Sequence, residues 1–203
     1  MRHATHRLAW ALICAGLTVI APRIAHADPA PKAGSENLSF LAFHSQWFSG
    51  GLDKSLTGSK GYVLQFSSEA LGDYFRPNYA ADFLFASGEA SLNSTSLSCL
   101  LIGGFFSPGI NVFPTPGSTF SPYVGASGVV GWGLMQLAEP PTGVGVHTQS
   151  LTYGYELRAG INWRTGGGRH YRLQTSLFSA TGKFAATSGV LLDGLRMGIG
   201  INF

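Results

Sequence analysis

From residue 38 onward, apolar residues recur at every second position, in runs separated by clusters of Gly, Pro, Ser and Asn. Side chains of an extended chain alternate between two faces, so this period marks half-buried strands and not helices. The clearest run is 151–163. Leu151, Tyr153, Tyr155, Leu157, Ala159, Ile161 and Trp163 share one phase, and Thr152, Gly154, Glu156, Arg158, Gly160 and Asn162 share the other. The last run repeats the pattern, with Leu195, Met197, Ile199, Ile201 and Phe203 on one face and Arg196, Gly198, Gly200 and Asn202 on the other. Working outward from these two, the pattern predicts eight strands at 38–48, 61–70, 78–87, 96–106, 122–132, 149–163, 170–179 and 190–203. The phase of the fifth is blurred by Gly125, Gly128 and Gly131, which leaves the direction of Trp132 open.

In a water-soluble sheet the face opposite the apolar one carries many charges. Here only 11% of the chain is charged, against about 25% in soluble domains. A surface so poor in charge faces something other than water. Past the first residues no apolar stretch is long enough for a helical membrane span, and a closed barrel is the other structure that satisfies its backbone within lipid. The runs are long enough to cross at a tilt, and an even strand number returns both ends to one side. The expected fold class is therefore all-β: an eight-stranded antiparallel up-and-down transmembrane β-barrel.

The start of the chain has a different pattern. Arg2 and Arg7 precede an apolar run from Leu8 to Ile20, and Ala25-His26-Ala27 follows as a small-x-small cleavage pattern. This reads as a secretory signal at 1–27 cleaved at Ala27-Asp28, then a short periplasmic leader at 28–37 and the barrel at 38–203. The formal charge of +3 resides in the signal, which holds Arg2, Arg7 and Arg23 and no acid. The mature chain is then neutral, and its charge gives no reason to expect a nucleic-acid partner. Cys14 leaves with the signal, so Cys99 has no disulfide partner and reads as a small strand residue.

Connections at 71–77, 107–121 and 164–169 fall on the periplasmic side with both termini, and those at 49–60, 88–95, 133–148 and 180–189 fall outside. The connection at 107–121, with Pro108, Pro114 and Pro116, is expected to be a long loop. Gly166-Gly167-Gly168 reads as a tight turn, because glycine adopts positive φ freely. Amphipathic rings favour membrane interfaces. Tyr79, Tyr123, Trp163, Tyr171 and Phe203 lie at the periplasmic strand ends and are expected to form half of an aromatic girdle, with Trp47, Tyr62 and Phe85 toward the other side.

Together the signal, the eight runs and the terminal Gly198-Ile199-Gly200-Ile201-Asn202-Phe203 resemble the small outer-membrane β-barrels of the OmpA transmembrane-domain, OmpX and OmpW type. The resemblance implies location in the outer membrane of a Gram-negative bacterium, with outer-membrane lipid and, during biogenesis, the barrel-assembly machinery as partners. Ile199, Ile201 and Phe203 would form the signal which that machinery reads.

The inward phase carries Glu156, Arg158, Arg172, Gln174 and Arg196, joined by Asp82 and Glu69. Glu156 and Arg196 each lie seven residues from the periplasmic end of their strands and are expected at similar depth. An eight-stranded barrel is only wide enough inside for side chains, and buried charges must be paired, so these residues are expected to form a structural polar network. A breakable Glu-Arg ion path is the sharper alternative.

No catalytic constellation stands out. His44 and Ser45 are adjacent and so face opposite ways, as do His147 and Ser150, and the His-x-Ser pair of outer-membrane lipid A deacylases is absent. His44, His147 and His170 lack metal-ligand spacing. The expectation is a non-enzymatic barrel without metal or cofactor, with a structural or interaction role and an unknown ligand. Two alternatives are transport of a small or apolar solute, permitted by the OmpW resemblance, and a soluble periplasmic lipid-binding β-protein.

Overall fold

The structure is a computed structural model and describes residues 37–48, 60–70, 74–92, 95–138, 145–182 and 190–203. The expected signal, the leader up to residue 36 and residues 49–59, 71–73, 93–94, 139–144 and 183–189 lie outside the described residues.

The barrel strands are β1 (Asn37–Phe48), β2 (Lys60–Ala70), β3 (Phe75–Leu92), β4 (Thr95–Val112), β5 (Phe120–Ala138), β6 (Gly145–Arg164) and β7 (His170–Gly182), with β8 in two pieces, Val190–Leu191 and Gly194–Asn202. Both pieces of β8 hold one register against β7, as Gly182↔Val190 and Phe178↔Gly194 show, so they are one interrupted strand. Each strand pairs antiparallel with the next, and β1 pairs with β8 to close an eight-stranded barrel. Among the described strands closure leaves no open sheet edge.

The stagger can be followed around the wall. The register passes from Leu38 to Glu69, Asn78, Gly109, Ser127, Glu156, Phe178 and Gly194, and returns to β1 at Phe48, ten residues above its start. A stagger of this kind tilts the strands by roughly 35–45° to the barrel axis. Residues at one depth are therefore not register partners, a point that decides which interior side chains meet.

Several strands run beyond the expected limits. β3 extends to 75–92 and β4 to Val112, and β5 begins at Phe120, so the link expected at 107–121 shrinks to Phe113–Thr119. Pro108 sits inside β4, in register with Tyr79 of β3. On the other side, β4–β5 pairing stops at Phe106↔Val130 and resumes in the same register at Gly109↔Ser127. Proline has no N–H to give a ladder, so it is tolerated within a strand where one neighbour's pairing lapses. At the same end as the termini, Gly117 (φ 83°) and Gly168 (φ 78°) turn the β4–β5 and β6–β7 links.

Burial follows the period-two phase in reverse of a soluble protein. Phe43, Tyr62, Leu64, Phe83, Tyr153, Leu173 and Ile199 point outward and are exposed, while charged residues are buried inside. Trp132, left open by the sequence, is 44% exposed and points outward. Among the described residues no helix is long and apolar enough to cross a membrane.

Candidate functional site: the barrel interior and its wall

The interior is built from the inward phase of all eight strands and falls into three levels. We call the end with both termini the near end. The near level centres on Glu69 of β2. Arg172 Nη2 donates to Glu69 Oε2 at 2.8 Å, Asn111 Nδ2 donates to the same oxygen at 2.6 Å, and Arg76 Nη1 reaches Oε1 at 3.3 Å. Arg172 Nε also donates to Asn162 Oδ1 at 2.8 Å, and its guanidinium lies over the rings of Phe40 (4.0 Å) and Tyr123 (5.0 Å). Arg76 lies over Phe113 at 4.0 Å. Pairing, hydrogen bonding and ring contacts are what make these buried charges tolerable.

The middle level centres on Arg196 of β8. Its Nη1 donates to Asp82 Oδ2 at 2.7 Å and lies 3.7 Å from Glu156 Oε1, and its Nε donates to Gln46 Oε1 at 2.8 Å. Gln65 Nε2 donates to the other oxygen of Asp82 at 2.9 Å, and Ser176 Oγ donates to Glu156 Oε1 at 2.6 Å. Arg158 joins the two levels: Nη1 donates to Asn78 Oδ1 at 2.5 Å and Nη2 lies 3.8 Å from Glu156 Oε2. His44 is buried here, and its ring lies against Gly198 of β8, where any side chain would collide with it.

The far level is mostly apolar. Phe48, Val63, Leu84, Cys99, Leu101, Phe105, Met135, Phe178 and Leu192 form one buried cluster toward the end away from the termini, where Ser150 and Thr152 are buried too. Phe178 caps the charge beneath it, with Arg196 3.6 Å from its ring centroid and Phe105 packed edge-on at 5.4 Å.

All seven residues expected in the interior network are buried: Glu69, Asp82, Glu156, Arg158, Arg172, Gln174 and Arg196. They do not form one cluster. Glu69 and Arg172 belong to the near level, and Asp82, Glu156 and Arg196 to the middle one. Gln174 accepts a hydrogen bond from Tyr123 Oη at 2.7 Å. Arg76, Asn78, Asn111, Gln46 and Gln65 are also members, and the signal that could have found them is their inward phase.

One expected interface aromatic is corrected. Tyr123 is not in the girdle: it is 2% exposed, points into the barrel and stacks on Phe113 at 5.2 Å. Its phase follows Ser121, Ser127 and Val129, all inward and buried. Tyr79 (stacked on Phe106) and Phe203 are exposed, and Trp163 and Tyr171 stack on each other at 5.3 Å on the outer wall. Ile199 points outward as well. Of the Ser/His pairs, His44 is more buried than Ser45, and His147 is exposed while Ser150 is buried, so neither pair shares a face.

Besides the break in β8, the described wall is irregular at the β4–β5 seam. A groove of about 610 Å³ on its outer side is lined by Pro108, Gly128, Val130, Tyr153, Tyr155, Ser179 and Thr181, with Val129, Gly154 and Ala180 at its floor. It adjoins the lapse in β4–β5 pairing at Ser107-Pro108 and Gly128-Val129. Gly154 can only be glycine there, because a Cβ would run into the backbone of Ser179 and Ala180.

A closed meander with an apolar outside and buried ion pairs defines an outer-membrane type of β-barrel. Among solved structures, the fold is similar to that of Neisserial surface protein A, with a TM-score of 0.51 and 15% identity over 84% of this chain and 99% of that one. It is similar also to the outer membrane protein OprG from Pseudomonas aeruginosa, with a TM-score of 0.53 and 14% identity over 83% of this chain and 96% of that one. At these identities the likeness is one of fold. No family model and no curated protein matches the chain. A soluble lipid-binding protein would need its charges outside and its apolar residues within, and this wall has the reverse.

Proposed function

We propose that this chain is a structural or interaction protein of the Gram-negative outer membrane whose interior is closed by its own side chains. In this reading residues 1–27 direct export and are cleaved at Ala27-Asp28, and the barrel-assembly machinery reads Ile199, Ile201 and Phe203. The barrel then sits in outer-membrane lipid without catalytic activity or cofactor. The observation that supports the reading is the placing of two ion-paired groups and one apolar cluster inside the barrel, and eight strands leave room inside only for side chains. Water and ions have no reason to enter a level lined by Leu101, Met135 and Phe105. Planar-bilayer recording of the purified protein is the test. No discrete conductance is expected, and step-like currents would overturn the closed interior.

A second reading, passage of a small apolar solute through the wall, is favoured by one feature: the groove beside the lapsed β4–β5 pairing. Weakened pairing makes a local opening cheaper than elsewhere in a hydrogen-bonded ladder. Joining Pro108→Cys to Gly128→Cys by a disulfide across that seam should cut uptake of an apolar dye by reconstituted vesicles at least severalfold, with recovery on reduction. Equal uptake by oxidised and reduced protein would remove this reading.

A further inference from the structure

The groove on the outer wall runs across the strands and ends on a charge. Ser179 of β7 is the register partner of Tyr155 on β6, and Tyr155 that of Gly128 on β5. On its other side Ser179 meets Asp193, in the break of β8. Leu192 N still donates to Ala180 O there at 2.7 Å, which keeps the register on both sides of the break. A line across the strands climbs with the stagger of the wall. It therefore rises from Pro108 and Gly128 toward Asp193, away from the termini.

The two ends of this line differ in chemistry. At the low end Pro108, Tyr153 and Tyr155 line the groove around Gly128, where a Cβ would meet nothing within 4 Å. At the high end it is lined by Ser179 and Thr181, and Ser179 Oγ donates to Asp193 Oδ1 at 2.6 Å. Asp193 is half-buried between the buried Leu192 and Gly194, so its carboxylate lies on the outward phase. Among the described residues it has no cation partner. The outward phase of β8 is apolar from Phe203 to Leu195, and Asp193 comes next, ten residues before Phe203. About that length crosses the hydrocarbon, which puts the carboxylate at its far margin.

The groove's volume of about 610 Å³ is that of a small-ligand site. Apolar within the hydrocarbon and polar at its margin, it matches a tail laid along the wall with a head at the rim. The carboxylate accepts hydrogen bonds and attracts positive charge, so the complementary head is a cation with N–H donors. We propose that this groove binds a single-chain amphiphile with a primary ammonium head. Its tail lies over Gly128 and its ammonium donates to Asp193, beside the hydroxyls of Ser179 and Thr181. The inference rests on the wall facing lipid and needs no passage through it.

The full-length folded protein in phosphatidylcholine vesicles is given a trace of dodecylamine with a photoactivatable diazirine near the end of its tail. After irradiation the labelled residues are mapped by mass spectrometry. The same tail with a trimethylammonium head keeps the charge and lacks donors. A hydrogen bond to a charged group is worth roughly tenfold in binding. The amine should therefore label Tyr155 and Pro108 about tenfold more than the trimethylammonium compound does. Phe43 and Phe66, exposed on β1 and β2 away from the groove, should take up both equally. Asp193→Asn should lower groove labelling by the amine to the trimethylammonium level. Gly128→Leu fills the groove without meeting other protein atoms at its Cβ and should remove labelling of Tyr155 by either compound. Unchanged labelling of Phe43 and Phe66 shows that each variant is folded in the membrane.

Equal groove labelling by the two heads, or amine labelling that survives Asp193→Asn, would overturn the proposal. Labelling spread evenly over the groove, Phe43 and Phe66 would also overturn it while leaving the barrel in lipid. Absence of label from every outward residue would overturn the lipid-facing wall, and this inference with it.

Discussion

Arg196→Met is expected to destabilise the folded barrel by about 3–5 kcal/mol, read as a lower urea midpoint in reconstituted vesicles. Methionine keeps most of the stem that packs near Phe178 and removes the charge. Asp82, which holds Arg196 at 2.7 Å, and Glu156 at 3.7 Å are then left as buried carboxylates without their shared cation. The penalty comes from those stranded charges, so adding Asp82→Asn and Glu156→Gln should recover a large part of it. The size of the loss also reports on water. In a hydrated, open lumen the carboxylates would be solvated and the substitution would cost under about 1 kcal/mol, as at exposed ion pairs. A small loss would therefore count against the closed interior as directly as a conductance would.

Leu64→Arg carries the second-largest expected effect. Leu64 lies on the outward phase of β2, 40% exposed, between the outward Tyr62 and Phe66. In a water-soluble protein an arginine at so exposed a position changes stability by at most about 0.5 kcal/mol. Near the middle of a hydrocarbon belt it costs about 2–4 kcal/mol. Urea unfolding in vesicles distinguishes the two, and a loss under 0.5 kcal/mol would mean that the apolar outside does not face lipid.

The strand pattern was legible because a barrel in lipid needs two faces of opposite character along every strand, and residues 151–163 and 195–203 display both without interruption. Counting from strand ends brought Glu156 and Arg196 together correctly. Glu69 is grouped with them in the sequence by its inward phase alone, and in the structure it pairs with Arg172 and Asn111. Depth depends on the stagger accumulated over all eight seams, and no single strand carries that information.

The apolar far level was invisible for a related reason. In stretches such as Leu100-Leu101-Ile102 and Leu134-Met135 both phases are apolar, and alternation cannot show that one of them points inward. Tyr123 was misplaced by a statistical preference of aromatic rings for interfaces, where Gly125 blurred the phase that would have corrected it. In the sequence Pro108 reads as a loop residue, and in the structure it lies within β4. A proline excludes only one ladder bond, and β4 continues past it.

The closing strand has a consequence for assembly. On its inward phase β8 presents Gly194, Arg196, Gly198 and Gly200, an edge that is smooth apart from one long side chain. A slip of two residues at the β1–β8 seam would preserve the alternation of faces, so the hydrophobic pattern has no means of rejecting it. It would shift Arg196 by about 6.6 Å, away from Gln46 on β1 and Asp82 on β3. The arginine thus acts as a ward on a key: of the side chains on this face it is the long one, and a closure slipped by two residues would strand its charge.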